Sequence, residues 1–189
     1  MTSHHGKPGL EPMAEADLSP EIREMLGQWV FNLHKTLAYS EKSLERWMPF
    51  AKHILQDNTL SVRDREIAIL RVGWNCRSPY EWGMHEGVAR SVGFTDKDLE
   101  AICVGKDSDN WTESEASIIA AVDDLHSQST ISDESWAKLK PHFSKQQLVD
   151  MVYLIGQFHM ISIMLNAMRT PLEDNVASMP QDKPHFTRA

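Results

Sequence analysis

This chain of 189 residues lacks a cluster of cationic residues and contains few cysteines. Acidic residues outnumber basic ones by 27 to 19, and no cluster of lysine and arginine is present. Because nucleic-acid binding depends on clustered cations that neutralise phosphates, we expect no nucleic-acid partner. The two cysteines, Cys76 and Cys103, are too few for a disulfide framework and are typical of a reducing compartment.

Segments for export or membrane insertion are also lacking. Residues 1–20 contain no apolar stretch of the kind that a secretory signal requires. The longest apolar segment, 148–168, is interrupted by polar residues such as Asp150 and His159. A charge at bilayer depth costs about 2.5–3.5 kcal/mol, so we expect a buried core helix, no membrane partner and a cytoplasmic protein.

No segment alternates apolar and polar residues over the length of a half-buried strand, which predicts an all-α fold. Helix-start signals are frequent: Ser19 precedes a proline, and pairs that resemble capping boxes begin at Ser61, Thr95, Thr112 and Ser144. The predicted helices occupy residues 19–27, 30–39, 41–56, 61–75, 79–92, 95–104, 112–127, 132–140 and 144–169.

Composition separates a central domain from two polar ends. Residues 1–17 and 175–189 are rich in proline, glycine, histidine and charge, which predicts a flexible N-terminal arm and a C-terminal tail. Residues 18–174 are expected to form one helical domain. The helix predicted over 144–169 is apolar on nearly all sides, so it must be surrounded by its own domain or by a partner subunit.

Glu66 is a titratable residue within an apolar pattern. In "SVRDREIAILRVGW", helical spacing places its side chain on the same face as Val62 and Ile69. A buried carboxylate needs either a hydrogen-bond donor or a proton, and groups in this situation are frequent in active sites. A structural salt bridge to Arg63 or Arg71 is the alternative, and the sequence leaves both open.

His85 and Glu81 are separated by one turn of a predicted helix. At this spacing the carboxylate can orient the imidazole and favour its protonated form, as a general acid or base requires. A surface pair with no catalytic role is the alternative. Two ligands do not hold a transition metal, and His159 or Glu66 would have to join them, so we predict no metal and no cofactor.

Cys76 lies at a helix junction, with Trp74 before the turn and Tyr80 and Trp82 after it. A thiol near a helix start can be activated as a thiolate, but the C-x-x-C spacing of redox sites is absent, and packing is the simpler interpretation. Trp74, Tyr80 and Trp82 are typical of a core, or of the wall of a pocket for a flat, partly unsaturated substrate.

Three polar residues form a line on the last predicted helix. Asp150, Tyr153 and Gln157 share one side of an otherwise apolar surface. This line either meets solvent or closes a pocket, and the sequence does not choose between them.

The stretch "RDREIAILRVGWNCRSPYEWGMHEGVARSVGFTDKDLEAI" closely resembles the carboxymuconolactone decarboxylase family, which includes the alkylhydroperoxidase D-like proteins. The later stretch "LVDMVYLIGQFHMISIMLNAM" resembles the C-terminal helix of longer members. The resemblance implies a helical fold that assembles as dimers, trimers or hexamers. It also implies pockets near subunit contacts.

In the peroxidase branch the motif is a Glu, then C-x-x-C, then a His four residues after the second Cys. Here Glu66 and His85 match the Glu and the His, whereas the cysteine positions fall on Ser78 and Glu81.

Loss of both redox thiols argues against thiol peroxidase chemistry. One thiolate must attack the peroxide and a second thiol must then form a disulfide with it, and neither serine nor glutamate can do either. The resemblance then implies a cofactor-free acid–base enzyme, a decarboxylase-like lyase or an isomerase. Its substrate would be a small carboxylated or lactone-type molecule, for example from aromatic catabolism. Two alternatives stay open: an alkylhydroperoxidase or peroxiredoxin-like oxidoreductase that uses Cys76, and a non-catalytic oligomeric binding protein.

Each candidate residue receives an expected role from this resemblance. His85 is the proton donor or shuttle, Glu66 is its partner or a second acid, and Glu81 orients the imidazole. Arg71 is expected to clamp a substrate carboxylate, because a planar guanidinium suits that group. The remaining candidates for the substrate site are Tyr80, Trp82, Trp74 and Cys76.

Overall fold

The computed structural model describes residues 7–181, and in this part of the chain every regular element is a helix. The all-α prediction is therefore confirmed. The α-helices are α1 (Pro20–Leu26), α2 (Asn32–Leu37), α3 (Glu41–Lys52), α4 (Val62–Asn75), α5 (Pro79–Ser91), α6 (Asp96–Val104), α7 (Glu113–Gln128), α8 (Asp133–Leu139) and α9 (Lys145–Met168).

The helices begin at the capping residues that the sequence indicates. The Ser19 side chain accepts a hydrogen bond from the Ile22 backbone N–H and so caps α1. Ser61 caps α4 by accepting from the Asp64 backbone N–H. Complete capping boxes, in which side chain and backbone satisfy each other, form at Thr95, Thr112 and Ser144.

Two predicted helices are shorter than expected. The prediction over 30–39 becomes α2 followed by a 3₁₀ turn (Ala38–Ser40), and the prediction over 41–56 becomes α3 followed by a π turn (His53–Asp57). Pro49 lies inside α3 and contributes no backbone N–H, which weakens the regular ladder at this end of the helix.

α4 is the central helix of the fold. All its residues from 65 to 75 are buried, and it packs against α5, α6, α7 and α9. Because no face of this segment meets water, each of its charged side chains needs a partner from a neighbouring helix. The position of α4 therefore decides where buried ionic pairs form.

α9 has one buried and one exposed apolar face. Leu154, Ile155 and Phe158 join the main core, whereas Tyr153 and Ile163 are 56% and 60% exposed. Among the described residues it is the one helix long and apolar enough to span a membrane by length and composition, and 44% of its most apolar window is buried. Core helices pass the same test, and the expected partner subunit stays a prediction.

The N-terminal helices cover one end of α5 and α9. α1, α2 and α3 share a small core of their own, around Ile22, Leu44 and Met48. Leu33 and Trp47 then pack against a third cluster that contains residues of α5 and α9. A cavity remains between these layers.

The chain ends contact the helical body wherever they are described. The Gly9 backbone N–H donates to the Met168 carbonyl at 2.8 Å. Glu173 accepts hydrogen bonds from the Tyr80 hydroxyl and from the Asn32 backbone, and Met179 is buried. The domain boundaries stay a prediction, and residues 1–6 and 182–189 of the predicted arm and tail lie outside the described part.

Candidate active site

His85 lies between two buried carboxylates. Its Nδ1 is 2.9 Å from Glu66 Oε2, and its Nε2 is 3.8 Å from Glu81 Oε2. The side chains of Glu66 and Glu81 are 3% and 4% exposed, and that of His85 is 13% exposed. The packing of α4 against α5 thus brings together the three residues that the sequence singled out.

The structural alternative for Glu66 was a salt bridge to a neighbouring arginine. Arg63 pairs with two other carboxylates, and Arg71 pairs with Asp123. Within the described residues, the salt-bridge partner of Glu66 is the imidazole of His85. The carboxylate is therefore coupled to a group that titrates near neutral pH.

Burial and mutual repulsion set the protonation of this trio. Burial raises the pKa of Glu81 from 4.5 to about 7, the positive charge of His85 lowers it in part, and the nearby charge of Glu66 raises it further. For His85, burial lowers the pKa, but the carboxylates of Glu66 and Glu81 outweigh burial and raise it above 6.5. The two carboxylates thus favour the protonated form of His85, and the pKa of the Glu81 carboxyl lies far above its ordinary range.

The imidazole is fixed on more than one side. Its Nδ1–H donates to Glu66, which directs Nε2 toward Glu81. The Phe158 ring of α9 contacts it edge to face, with ring centroids 5.1 Å apart. The ring therefore has a defined orientation before any substrate is bound.

A cavity of about 160 Å³ adjoins this trio. Glu81 and His85 line it, and most of its other walls are aromatic or aliphatic, from Trp29 and Phe31 on one side to Phe158 and Ile161 on another. Among the described residues that line it, none is a lysine or an arginine. The cavity is therefore suited to a small, largely apolar molecule that meets a proton-transfer group at one wall.

Three buried polar atoms in this wall have no hydrogen-bond partner among the described residues: His34 Nδ1, Trp47 Nε1 and Gln157 Oε1. Burial lowers the pKa of His34 to about 4, a hydrogen bond with the Trp29 backbone opposes this in part, and the charge of Lys52 adds a smaller lowering, so its imidazole is neutral at pH 7. Unsatisfied buried groups cost about 1–3 kcal/mol each. A ligand with a few polar atoms could satisfy these groups from within the cavity.

The sequence did not point to His34 or Trp47 as candidates. Neither lies in a recognisable motif, and α2 and α3 meet α5 only through the tertiary fold. The one sequence signal was a histidine and a tryptophan on short helices with apolar faces, which is equally typical of a core.

Comparison with protein-family models matches the segment of the chain that carries the three titratable residues. Residues 41–124, from the start of α3 into α7, match the model of the carboxymuconolactone decarboxylase family. Over this segment the chain is similar to the family. The matched segment includes Glu66, Glu81 and His85, whereas α2 and α9, which complete the cavity, lie outside it. No curated protein matches the chain.

Solved structures with the same fold include two bacterial peroxidase-related proteins and a debrominase. The protein from Ralstonia eutropha JMP134, described as an alkylhydroperoxidase AhpD core, is 16% identical with a TM-score of 0.77, covering 90% of this chain and 94% of that one. The protein from Silicibacter sp. TM1040 is 17% identical with a TM-score of 0.76, covering 92% and 96%. The debrominase Bmp8, in complex with 2,3,4-tribromopyrrole, is 15% identical with a TM-score of 0.70, covering 92% and 95%. At these identities the likeness shows the fold alone.

The aromatic candidates divide between cavity and core. Tyr80 lines the cavity, and its hydroxyl donates to Glu173 at 2.7 Å. Trp74 and Trp82 are instead buried in the main core, with ring centroids 5.5 Å apart. These two tryptophans set the packing of α4 against α5 and do not reach the cavity wall.

Arg71 is committed to a structural role away from the cavity. Its guanidinium donates to both carboxylate oxygens of Asp123, at 2.7 and 2.9 Å, and to the Ile102 carbonyl at 2.6 Å. Gly105 leaves room for this, because a Cβ there would lie 2.8 Å from a guanidinium nitrogen. The structure therefore does not bring the expected carboxylate clamp to the substrate cavity.

The polar line on α9 also divides. Asp150 accepts hydrogen bonds from the backbone N–H and the hydroxyl of Thr59, and so anchors the loop before α4. Tyr153 faces solvent beside Phe50. Of the three residues, Gln157 alone lines the cavity.

Cys76 lies outside the cavity lining, next to two histidines that the sequence did not connect with it. Its Sγ is 3.8 Å from Nδ1 of His126, and that nitrogen is 3.1 Å from Nε2 of His159. The other thiol, Cys103, donates to the Leu99 carbonyl at 3.4 Å, and neither cysteine is in a disulfide.

Proposed function

We propose that this protein is a cofactor-free acid–base enzyme, an isomerase or decarboxylase-like lyase that acts on a small, largely apolar lactone or related carbonyl compound. One observation carries the proposal. A buried carboxyl with a pKa of about 7, Glu81, lines an apolar cavity beside an imidazole that a second carboxylate holds in place. A general acid or base is most effective when its pKa lies near the working pH.

The geometry favours an exchange of the roles expected for the two glutamates. Glu66 makes the short contact with His85 and does not line the cavity, so it positions the imidazole. Glu81 lines the cavity and is only loosely coupled to the ring at 3.8 Å, so it is free to exchange a proton with a substrate. His85 keeps its expected place as a donor, now through Nε2.

An isomerisation at this site needs one proton and no external electrons. The Glu81 carboxylate removes a proton from the carbon next to the substrate carbonyl, and the C–H electron pair moves into the carbonyl to form an enolate. The imidazolium of His85 stabilises the enolate oxygen by hydrogen bonding. The Glu81 carboxyl then returns the proton to a different carbon of the conjugated system, which completes the shift of the double bond.

A decarboxylation uses the same groups in a related order. The C–C bond to the carboxylate breaks, carbon dioxide leaves, and the electron pair enters the same enolate. The protonated form of Glu81 then delivers its proton to carbon. Both reactions depend on a charge that develops on oxygen beside His85 and on a proton held by Glu81.

The cavity lining favours a neutral substrate over a carboxylated one, and therefore isomerisation over decarboxylation. Arg71 is engaged by Asp123, and the lining within the described residues offers no other fixed cation. A substrate carboxylate would meet only His85 and would lose its hydration in an apolar cavity. A flat, uncharged ring fits better, and a bound tribromopyrrole in the debrominase of the same fold supports a ligand of that shape.

A thiol peroxidase is less well supported. A hydroperoxide in the cavity would meet no cysteine among the residues that line it. The positions of the two redox thiols are taken by Ser78 and Glu81, both buried. We therefore expect that hydroperoxides are not reduced at this cavity.

The test uses a β,γ-unsaturated butenolide, a neutral lactone whose isomerisation requires proton removal beside the carbonyl. The protein is incubated with it in deuterated water, and NMR follows formation of the α,β-unsaturated product and its deuterium content. We expect catalysis by the wild-type chain and by Cys76→Ser, and strong loss in Glu81→Gln and His85→Asn. Equal rates in Glu81→Gln and the wild type would contradict the proposal, as would a chain that reduces a hydroperoxide through Cys76 and leaves lactones unchanged.

A further inference from the structure

A second cluster of reactive side chains lies where α4, α7 and α9 meet. Cys76 caps the C-terminus of α4, His126 lies in the last turn of α7, and His159 lies in the middle of α9. One donor atom from each, the Cys76 Sγ and a ring nitrogen from each histidine, lies within 4.8 Å of the others. The acid–base chemistry proposed above, on which this inference does not depend, uses none of the three.

The separations match those between ligands of one tetrahedral metal ion. With metal–nitrogen bonds of about 2.0–2.1 Å and metal–sulfur bonds of about 2.3 Å, tetrahedral ligands lie about 3.3 Å apart for two nitrogens and about 3.6 Å apart for nitrogen and sulfur. The observed distances are 3.1 Å between His126 Nδ1 and His159 Nε2, and 3.8 Å between His126 Nδ1 and Cys76 Sγ. These two separations differ from the tetrahedral values by about 0.2 Å each, and the third, between Cys76 Sγ and the donor nitrogen of His159, is within 4.8 Å.

The tautomer of His159 suits this role. Its Nδ1–H donates to the Ile155 carbonyl at 2.9 Å, which leaves the lone pair on Nε2. That lone pair points at the cluster, where the contact with His126 Nδ1 is made. Metal-binding histidines characteristically donate their other ring N–H to a carbonyl or carboxylate, because this fixes the ring and raises its basicity.

Position and burial also suit a cation. His126 lies in the last turn of α7, where the partial negative charge of the helix C-terminus stabilises a positive ion. It is 6% exposed, whereas Cys76 and His159 are half-buried, so the cluster is shielded but reachable from solvent. One thiolate and two imidazoles form a donor set that Zn²⁺ prefers over Mg²⁺ or Ca²⁺.

We propose that Cys76, His126 and His159 form a binding site for one Zn²⁺ ion per chain. The thiol loses its proton to solvent when the thiolate binds, and the two neutral imidazoles bind through the nitrogens that now face each other. Three protein ligands leave the fourth tetrahedral position to a water molecule. The ion joins the C-terminal ends of α4 and α7 to the middle of α9.

The first experiment titrates the full chain, freed of metal by a chelator, with Co²⁺ as a spectroscopic probe for Zn²⁺. A thiolate ligand gives an intense charge-transfer band in the near ultraviolet that imidazole ligands alone do not give. This distinction matters because His4 and His5, outside the described residues, also carry imidazoles. We expect the band to saturate at one equivalent, and one equivalent of Zn²⁺ to abolish it.

Variants assign the ligands. Cys76→Ser should remove the band, and His126→Asn and His159→Asn should each weaken Zn²⁺ binding by at least about 100-fold, since loss of an outer partner alone costs about 10–100-fold. The matched controls are Cys103→Ala, which changes the other thiol, and His142→Asn, which changes an exposed histidine. Both should bind as the wild type does.

A measurement on the unaltered chain keeps the proposal testable if a variant fails to fold. Zn²⁺ should slow alkylation of Cys76 by iodoacetamide at least about 10-fold, with the rate at Cys103 unchanged as the internal reference. Equal alkylation of Cys76 with and without Zn²⁺ would overturn the site. A charge-transfer band that persists in Cys76→Ser, or no stoichiometric binding at micromolar metal, would overturn it as well.

Discussion

Two buried ionic pairs that each include a residue of α4 have different surroundings in this protein. Glu66 and Arg71 both lie in the fully buried part of α4. Arg71 meets Asp123 through two parallel hydrogen bonds, with its remaining donors directed at backbone carbonyls. Glu66 instead meets His85 through a single contact, beside a cavity.

The difference shows which property of a buried charge indicates chemistry. A guanidinium keeps its proton in proteins, and the Arg71 pair is satisfied by protein groups, so it holds α4, α6 and α7 together. The Glu66 pair involves an imidazole whose second nitrogen faces another carboxyl and a space for a ligand. The Glu66–His85 pair thus differs from the Arg71–Asp123 pair in two respects: one partner is an imidazole, which can titrate near neutral pH, and a cavity adjoins the pair.

The largest expected effect is the loss of stability when the Arg71–Asp123 pair is broken. Asp123→Ala leaves the charge of Arg71 buried at 4% exposure without its carboxylate, which typically costs about 3–5 kcal/mol of unfolding free energy. Urea denaturation followed by circular dichroism measures this loss. Asp107→Ala, which breaks the exposed pair with Lys106, is the control and should change little. A loss in Asp123→Ala no larger than in this control would end the structural interpretation.

The acid–base pair should show its effect in rate. Glu81→Gln keeps the size of the side chain but cannot exchange a proton, so we expect butenolide isomerisation to fall about 100-fold or more. Glu66→Gln should lower the rate less and shift its pH profile, because it changes only the orientation and charge of His85. Kinetic constants measured across pH distinguish these outcomes. The same loss in both variants with no shift of profile would contradict the assigned roles.

The two pairs should also differ in how stability depends on pH. Because the pKa of Glu81 is raised from 4.5 to about 7, the folded state binds more protons than the unfolded state between these values. The free energy of unfolding should therefore fall by about 2–3 kcal/mol between pH 5 and pH 8. His85 acts in the same direction, since its raised pKa gives stability that is lost as the pH rises through its folded value.

Glu81→Gln tests this dependence directly. In the variant, the free energy of unfolding should change much less between pH 5 and pH 8 than it does in the wild type. The stability of the variant relative to the wild type should therefore be higher at pH 8 than at pH 5. Denaturant midpoints at several pH values, measured for the variant and the wild type together, provide the comparison. Parallel curves for the two proteins would show that Glu81 titrates as an ordinary surface carboxyl.

The smallest expected effect concerns the unsatisfied polar atoms of the cavity wall. Trp47→Phe removes a buried N–H that has no hydrogen-bond partner among residues 7–181, so stability should change little. The KM for a lactone that accepts this hydrogen bond should rise about fivefold, as one hydrogen bond of about 1 kcal/mol implies. Trp136→Phe, beside Lys140 and outside the cavity lining, is the matched control. An unchanged KM in Trp47→Phe would mean that the indole is only part of the wall.

Local chemistry made the helices predictable from sequence. Capping residues such as Thr95 and Thr112 act within one turn of chain, so their effect appears without any tertiary contact. The errors arise where one backbone position changes the ladder, as at Pro49 in α3. Glu81 and His85 were likewise predictable as neighbours because they lie four residues apart on one helix.

The sequence by itself determined the helical fold, the family resemblance and the three titratable residues at the centre of the site. Only the tertiary structure decided that Arg71 belongs to Asp123, that His34 and Trp47 face the cavity, and that Cys76 meets His126 and His159. The reason is physical. Spacing along a helix fixes which residues share a face, whereas contacts between helices depend on crossing angles and packing, which the whole core sets together.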